Sequence, residues 1–474
     1  MPVKKQRKPV LLNNLIVTDY AAEGKSLARL DGKVIFIEGA VPGDVVDVLL
    51  KKNKADWAEG VAVHFHQMAP HRLTPFCKHF GICGGCQWQM LPYSLQLQYK
   101  QQQVSDVLQR IGKIPLPLIE PILGAEKITH YRNKLEYTFG SRKYIPPDEY
   151  ARIRATGESI QDNGAGGFHA RGFFDKVVAI ETCHLQDEPT NAIRNCIEAF
   201  AREHQLPFYH PRTHEGWLRN LVVRNTRTGE WMIDVVLGFR LPEYQDALST
   251  LLLERFPNIT TLLFTINPKH NDSLTGLEPE VVKGNGYITE ELEHFRYIIS
   301  ARSFFQTNSY QAERLYRLIR EMAELNGSQI VYDLYCGTGS IGIFVSEQAR
   351  QIIGVEVVPE AIADAQKNAA LNGVSHARFF AGDVIDICDD AFFSREGKPD
   401  VVITDPPRAG MHEKLVKKLL EMEAPLIVYV SCNPATQARD LALLDEKYRV
   451  TRCCPVDMFP HTLHIENVVQ LKLK

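Results

Sequence analysis

Between Leu11 and Phe65 apolar and polar residues alternate in short runs broken by Asp31-Gly32 and Pro42-Gly43, which predicts strands over residues 33–37, 44–50 and 60–65. Short strands at such spacing predict a small β-barrel of the oligonucleotide-binding kind. Its Lys51, Lys52 and Lys54 are expected in one loop, as a solvated turn or as phosphate contacts. From Tyr93 to Gly112 the apolar positions Leu95, Tyr99, Val104, Val107, Leu108 and Ile111 follow a helical period. Between Ile128 and Ser300 the pattern predicts mostly strands and hairpins, the clearest joining residues 218–224 and 231–237 through the turn ending at Gly229. Beyond Arg302 strands alternate with helices, which predicts a doubly wound parallel sheet to Lys474. The expected organisation is therefore α/β: a barrel over residues 1–67, a β-rich central part over 68–300 and a Rossmann-like domain over 301–474. The helix near residues 93–112 is expected to pack on the last of these.

Composition changes little in this picture. The 474 residues are 45% hydrophobic and 23% charged, an ordinary globular balance, and no run of about 20 apolar residues suggests a membrane span. The basic start, Met1 to Lys8, leads into Pro9 rather than a long apolar stretch, so a cytoplasmic protein without a secretory signal is expected. A formal net charge of −3 points to no nucleic acid by itself. Nothing implies a membrane or an obligate protein partner.

Candidate chemistry concentrates in the last third. A buried strand ending at Tyr335 runs into Cys336-Gly337-Thr338-Gly339-Ser340, where glycines let the backbone turn tightly and approach a ligand. A second strand ends at Glu356, 17 residues after Gly339, where a carboxylate can accept from both hydroxyls of a ribose. Two further strands end in Asp383, placed to meet an adenine amino group, and in Asp405-Pro406-Pro407. Gly342 keeps a nicotinamide site open on glycine spacing, whereas the series of strand-end acids favours S-adenosylmethionine. Asp405-Pro406-Pro407-Arg408 resembles the loop of amino-methyltransferases, but Arg408 replaces the aromatic that would stack on the base, which argues against attack by an exocyclic amine.

Cys432, just past a buried strand and inside Ser431-Cys432-Asn433-Pro434, is the candidate nucleophile. A pyrimidine carbon accepts a sulfonium methyl only after a nucleophile has added to its ring, so a thiol beside a methyl-donor pocket predicts addition to carbon 6 of a uracil and methylation of carbon 5. Glu466 is the candidate base that removes the carbon 5 proton; alone it would read as a surface acid before the last strand. His461 and His464 read as local hydrogen-bonding residues. Cys77, Cys83 and Cys86, with the distant Cys183, suit zinc or an iron–sulfur cluster, and spacing alone does not separate these. A radical enzyme using the same sulfonium would want spacings of three and two, not the five and two found here.

These motifs, with Ser303-Phe304-Phe305-Gln306-Thr307-Asn308 and His461-Thr462-Leu463-His464-Ile465-Glu466, closely resemble the RNA (uracil-5-)-methyltransferase family along nearly the whole chain. The resemblance implies a TRAM-like barrel and a [4Fe-4S] cluster on Cys77, Cys83, Cys86 and Cys183. It implies S-adenosylmethionine contacts from Gln306, Tyr335, Ser340, Glu356, Asp383 and Asp405, beside Gly337 and Gly339 of the turn, with Cys432 as nucleophile and Glu466 as base. Ser340 stands where asparagine is common in bacterial members, and Asp383 where another asparagine can occur; both remain polar. Arg132, in a strand resembling the family's substrate-facing one, is a candidate RNA contact or a plain surface arginine. The resemblance implies 23S ribosomal RNA as substrate, because members acting on transfer RNA generally lack the barrel and the cysteines. The same chemistry on transfer RNA is the alternative, and a non-catalytic RNA-binding protein is the rival from another class. In either RNA a stacked uracil must leave its helix to expose carbon 6.

Overall fold

The computed structural model describes residues 10–21, 24–159 and 163–474; the basic start of the chain lies outside them. The chain divides into two compact units. The first comprises the described residues up to Gly81, Gly85–Gln103 and Pro460–Leu463. Its six-stranded sheet has the spatial order Leu11–Ile16, Val45–Asn53, Trp57–Gln67, Lys33–Glu38, Ser26–Leu30, Asp19–Tyr20. Alternate residues Ile35 and Ile37, and Val46 and Val48, turn inward with Leu15, Ala28 and Ala58 to form its core. Lys51 and Lys52 are not in a loop: they lie on the strand Val45–Asn53, and Lys54 just follows it. The hairpin is longer than its turn residues suggest, because Lys52 and Asn53 continue the ladder with Glu59 and Ala58. There Lys51 pairs with Glu38 at 2.9 Å and Lys52 with Glu59 at 3.1 Å, so these cations form the solvated, neutralised face.

The second unit comprises Ile82–Gly84, Val104–Phe459 and His464–Lys474. Its long continuous part begins inside the helix Tyr93–Val107, whose Val104, with Leu108 of the π-helical turn Leu108–Gly112, packs in the core of the C-terminal sheet. A first seven-stranded sheet runs from Glu280–Lys283 through Ile259–Ile266, Trp231–Leu237, Leu218–Asn225, Lys134–Gly140 and Ala165–His169 to Val177–Ala179. The hairpin of Leu218–Asn225 with Trp231–Leu237 is antiparallel as expected. Elsewhere this stretch departs from strands and hairpins. Helices Pro147–Thr156, Thr190–Glu203 and Pro242–Arg255 interrupt it, and Trp231–Leu237 pairs with Ile259–Ile266 in parallel. A parallel partner requires a crossover, which the helix Pro242–Arg255 provides. Thr190–Glu203 buries Ile193, Cys196, Ile197, Phe200 and Ala201 along one stripe, a helical period easily overlooked among strands.

The C-terminal sheet contains β1 (Ile330–Leu334), β2 (Gln351–Glu356), β3 (Ala377–Ala381), β4 (Val401–Thr404), β5 (Leu426–Ser431), β6 (Tyr448–Val456) and β7 (Glu466–Leu473). Its spatial order is β3-β2-β1-β4-β5-β7-β6. The first five strands are parallel, while β7 enters between β5 and β6 antiparallel to both. Both faces are covered, and successive residues divide between two cores: Val331, Val401, Ile403, Val428 and Val430 point to one, Ile330, Tyr332, Leu334, Val402, Ile427 and Tyr429 to the other. That burial explains why these strands are apolar throughout rather than alternating. Among the described residues no helix is long and apolar enough to cross a membrane.

Candidate active site

Strand order reverses between β1 and β4, and in a doubly wound sheet the crevice outside the carboxyl ends of the strands at that reversal receives the ligand. At the end of β1 the backbone turns through three left-handed residues, Tyr335 (φ 61°), Gly337 (φ 52°) and Gly339 (φ 74°). A non-glycine residue at such φ is sparsely populated, and strain of this kind is found at ligand sites. A Cβ on Gly339 would come within 2.9 Å of the Phe379 ring, so glycine is required there, whereas one on Gly337 would meet nothing within 4 Å. The backbone at Gly337 thus faces open space, with its N–H donating to Glu356 at 3.3 Å. The other Glu356 oxygen accepts from the Val358 N–H at 3.0 Å, which fixes the carboxylate at the tip of β2.

Ser340 starts the following helix, and its hydroxyl is engaged with the Tyr316 hydroxyl at 2.9 Å. Asp383 caps the short helix Val384–Ile387, accepting from the Ile385 N–H at 2.8 Å. Gln306 is half-buried in the loop before the helix Ser309–Met322, held there by Asn133, whose Nδ2 donates to the Gln306 carbonyl at 2.9 Å and to Ser309 Oγ at 2.8 Å. Sequence reasoning passed over Asp333, whose Oδ2 accepts from the Gly342 N–H at 2.8 Å and ties the glycine turn to the helix after it. Burial pushes the Asp333 carboxyl up to about 7. A carboxylate inside an otherwise apolar strand, one residue before its end, was the available signal.

Cys432 and Glu466 are brought together by strand register. Ser431 of β5 pairs with Asn467 of β7, so the next positions outward, Cys432 and Glu466, face each other where the ladder ends. Buried amides lock the register: Gln437 Nε2 donates to the Tyr429 carbonyl at 3.0 Å and the Asn467 carbonyl at 3.2 Å, and Asn467 Nδ2 donates to Gln437 Oε1 at 2.7 Å. Asn433 caps the helix Pro434–Leu444 by accepting from the Ala435 N–H at 3.1 Å, while its Nδ2 donates to the Arg408 carbonyl at 3.2 Å. That bond joins the loop after β4, which carries Asp405 and Arg408, to the loop carrying Cys432.

The electrostatics follow from this crowding of acids. Burial, then Glu466 and Asp405, push the Cys432 thiol up to about 11, with Arg408 opposing. Burial and then the Asp405 charge hold Glu466 well above the usual carboxylate range, and burial raises Asp405 as well. Like charges this close cannot both ionise freely. The site without ligands therefore holds a protonated thiol beside carboxyl groups that retain protons more strongly than usual.

Arg132 is half-buried, its guanidinium 5.1 Å from the centre of the Phe459 ring. It lines a cavity of about 420 Å³ with Asn133, Arg227, Glu290 and Tyr310. The cysteines do not form one group within one unit: Cys77 and Cys86 belong to the first unit, Cys83 and Cys183 to the second. Among the described residues no group of three or more His, Cys, Asp or Glu is placed to hold a metal ion. His461 uses its ring for hydrogen bonding, as expected: its Nδ1 lies 3.1 Å from Gln96 Nε2, while its main-chain N–H donates to Gln96 Oε1 at 2.9 Å.

A seven-stranded sheet with one reversed strand, a glycine turn after β1 and acids at the tips of β2 and β4 define a Rossmann-like methyltransferase. Residues 277–474 match the family described as tRNA (Uracil-5-)-methyltransferase, and residues 14–63 match the TRAM domain. An RNA methyltransferase of Bacteroides thetaiotaomicron is 52% identical over 457 residues, covering 96% of this chain and 100% of the relative. One of Porphyromonas gingivalis is 48% identical over 460 residues, covering 96% and 98%. The crystal structure of Pyrococcus abyssi tRNA (uracil-54, C5)-methyltransferase in complex with S-adenosyl-L-homocysteine is similar with a TM-score of 0.73 and 28% identity, over 97% of this chain and 100% of that one. The chain belongs to the family of these RNA methyltransferases and carries a tRNA (uracil-5-)-methyltransferase family domain together with an N-terminal TRAM domain.

Proposed function

We propose that this protein methylates carbon 5 of a uridine in RNA through a transient bond between Cys432 and carbon 6. The observation that carries this reading is the pairing of Ser431 with Asn467, which opposes the thiol to a buried carboxyl where β5 and β7 end. S-Adenosylmethionine, when bound, supplies an electrophilic methyl on a cationic sulfur. The open backbone at Gly337 and the oriented Glu356 fit its nucleoside part, with Gln306, Tyr335, Gly339, Ser340, Asp383 and Asp405 as the remaining contacts. When the cofactor is bound, its positive charge would favour the ionised forms of Asp405 and Glu466, offsetting the burial that keeps them protonated. Cys432 gives its proton up to water and the thiolate sulfur bonds to carbon 6, breaking the 5,6 double bond and leaving carbon 5 nucleophilic. A carbon–methyl bond forms at carbon 5 as the methyl–sulfur bond breaks. Glu466 then takes the carbon 5 proton, the carbon 6–sulfur bond breaks, and the thiolate leaves.

The TRAM strands, the first sheet of the second unit and Arg132 are proposed to grip the RNA. The N-terminal barrel by itself does not choose between 23S ribosomal and transfer RNA, since an archaeal transfer-RNA enzyme is similar over 97% of this chain. Mapping 5-methyluridine in both RNAs of a strain lacking this chain tests the reading. One or more uridines are expected to lose the methyl, in 23S RNA if the cysteine segment marks the substrate; an unchanged map of both would overturn it.

Cys77, Cys83, Cys86 and Cys183 are proposed to hold a [4Fe-4S] cluster. The donor set fits, since soft thiolates suit such a cluster, and Cys83 and Cys183 border one apolar patch formed by Ala170, Val178 and Ile180. No step of methyl transfer runs through it; its chemistry here would be to tie distant parts of the chain together. Anaerobically purified protein is expected to contain iron and acid-labile sulfide in about equal amounts, whereas zinc without sulfide would replace the cluster with a structural zinc site.

A further inference from the structure

The turn between strands Ala165–His169 and Val177–Ala179 exposes two consecutive aromatic rings, Phe173 at 42% and Phe174 at 68%. Adjacent large apolar side chains in water are costly unless something covers them. This turn is nevertheless built rather than loose. Ala170 N–H donates to the Lys176 carbonyl and Phe173 N–H to the Ala170 carbonyl, both at 2.9 Å, around a left-handed Gly172 (φ 80°). Asp175, between the rings and the next strand, is buried, accepting from Arg142 Nη1 at 2.6 Å and from Arg212 Nε and Nη2 at 3.1 and 2.7 Å.

Cations accompany both rings. The Arg212 guanidinium lies 5.5 Å from the centre of Phe174 and Lys176 Nζ 4.9 Å from that of Phe173, while Tyr144 packs against Phe173 at 5.6 Å. Arg142 and Arg212 share one carboxylate, Asp175, and Lys176 and Arg171 belong to the same turn, so cations outnumber acids there on a chain whose net charge is −3. Local charge of that sign beside exposed rings fits a polyanion with flat apolar faces. A protein partner would need apolar contact but no excess of cations. Single-stranded RNA uses both features, since bases stack on aromatic rings while phosphates meet the cations.

We infer that Phe173 and Phe174, with Arg212 and Lys176, form a stacking platform for an unpaired stretch of the substrate RNA, separate from the crevice that takes the target uridine. The inference rests on the proposed RNA substrate and adds where a second part of it binds. Stacking tolerates any base, so the probe need not be the natural RNA: a fluorescein-labelled oligouridine of about 12 nucleotides, titrated with the full-length protein at low salt and read by fluorescence anisotropy, suffices. Phe174→Ala is expected to weaken binding about 10-fold. Phe174 is exposed, so its replacement leaves the core intact. Phe174→Leu should lose as much as Ala and Phe174→Trp should restore binding, which separates stacking from simple apolar contact. Lys176→Gln should flatten the slope of log affinity against log salt by about 0.7. In methylation of the natural RNA, Phe174→Ala should raise KM about 10-fold with kcat retained.

Wild-type protein that ignores oligouridine, a Phe174→Leu variant that binds within about twofold of wild type, or a loss confined to kcat would each overturn the platform. The two readings fail separately. Protein that binds oligouridine through Phe174 yet methylates no RNA removes the proposed function and leaves the platform, while methylation indifferent to Phe174 does the reverse.

Discussion

Cys432→Ala should abolish methyl transfer, lowering kcat by at least about 10⁴-fold while S-adenosylmethionine still binds, because the uracil ring has no other route to a nucleophilic carbon 5. The side chain is half-buried at the end of β5, and removing its sulfur leaves the Gln437–Asn467 lock untouched, so the fold should survive. RNA containing 5-fluorouridine gives the sharper test. With fluorine at carbon 5 no proton can be removed, so wild-type protein should form a denaturation-resistant complex with it and Cys432→Ala none. Residual turnover by the alanine variant would end the covalent scheme. The pH dependence of the free thiol adds a second measurement. Its folded value of about 11 lies above the ordinary thiol range, so the thiolate is scarce at neutral pH. Iodoacetamide labelling of the Cys432 peptide in protein without ligands should therefore rise about tenfold per pH unit between roughly pH 7 and 10. A plateau below pH 9 would mean that Arg408 outweighs burial and the two acids.

The central elements of the C-terminal sheet were legible because β1, β4 and β5 are buried at every position and β2 at all but its ends, and because Glu356, Asp405 and Cys432 announce the strand ends themselves. What could not be read was adjacency. Cys432 and Glu466 are 34 residues apart in the chain, and they meet only because β7 inserts antiparallel beside β5 while β6 lies outside it. No local pattern encodes that insertion; register comes from Gln437 and Asn467, two amides that in sequence look like ordinary helix and strand residues. The central stretch misled for a related reason. Trp231–Leu237 is buried at every position, a pattern that fits a hairpin arm and a parallel core strand equally, and its second partner lies beyond a helix. Phe173 and Phe174 carried no sequence signal, since apolar pairs usually go inside. Only the buried Asp175 and its arginines reveal that this turn holds its rings outward.

Glu466→Gln should separate the two halves of the reaction. Glutamine keeps the shape of the side chain at the buried start of β7 but cannot accept a proton. Addition of Cys432 and transfer of the methyl need no base at carbon 5, so the variant should complete one methylation per molecule and then stop, with the methylated RNA still bonded to the thiol. On a denaturing gel this complex should carry label from methyl-labelled cofactor, and kcat should fall about 10²–10⁴-fold, the usual contribution of a positioned base. The raised carboxyl of Glu466 makes the prediction discriminating. A carboxyl that holds its proton tightly because of burial and Asp405 is a strong acceptor once ionised, but it must first be emptied. If Glu466→Gln turned over freely without a trapped complex, the proton would have to leave through the other raised acid, Asp405, and Asp405→Asn in the same assay should then accumulate the labelled adduct.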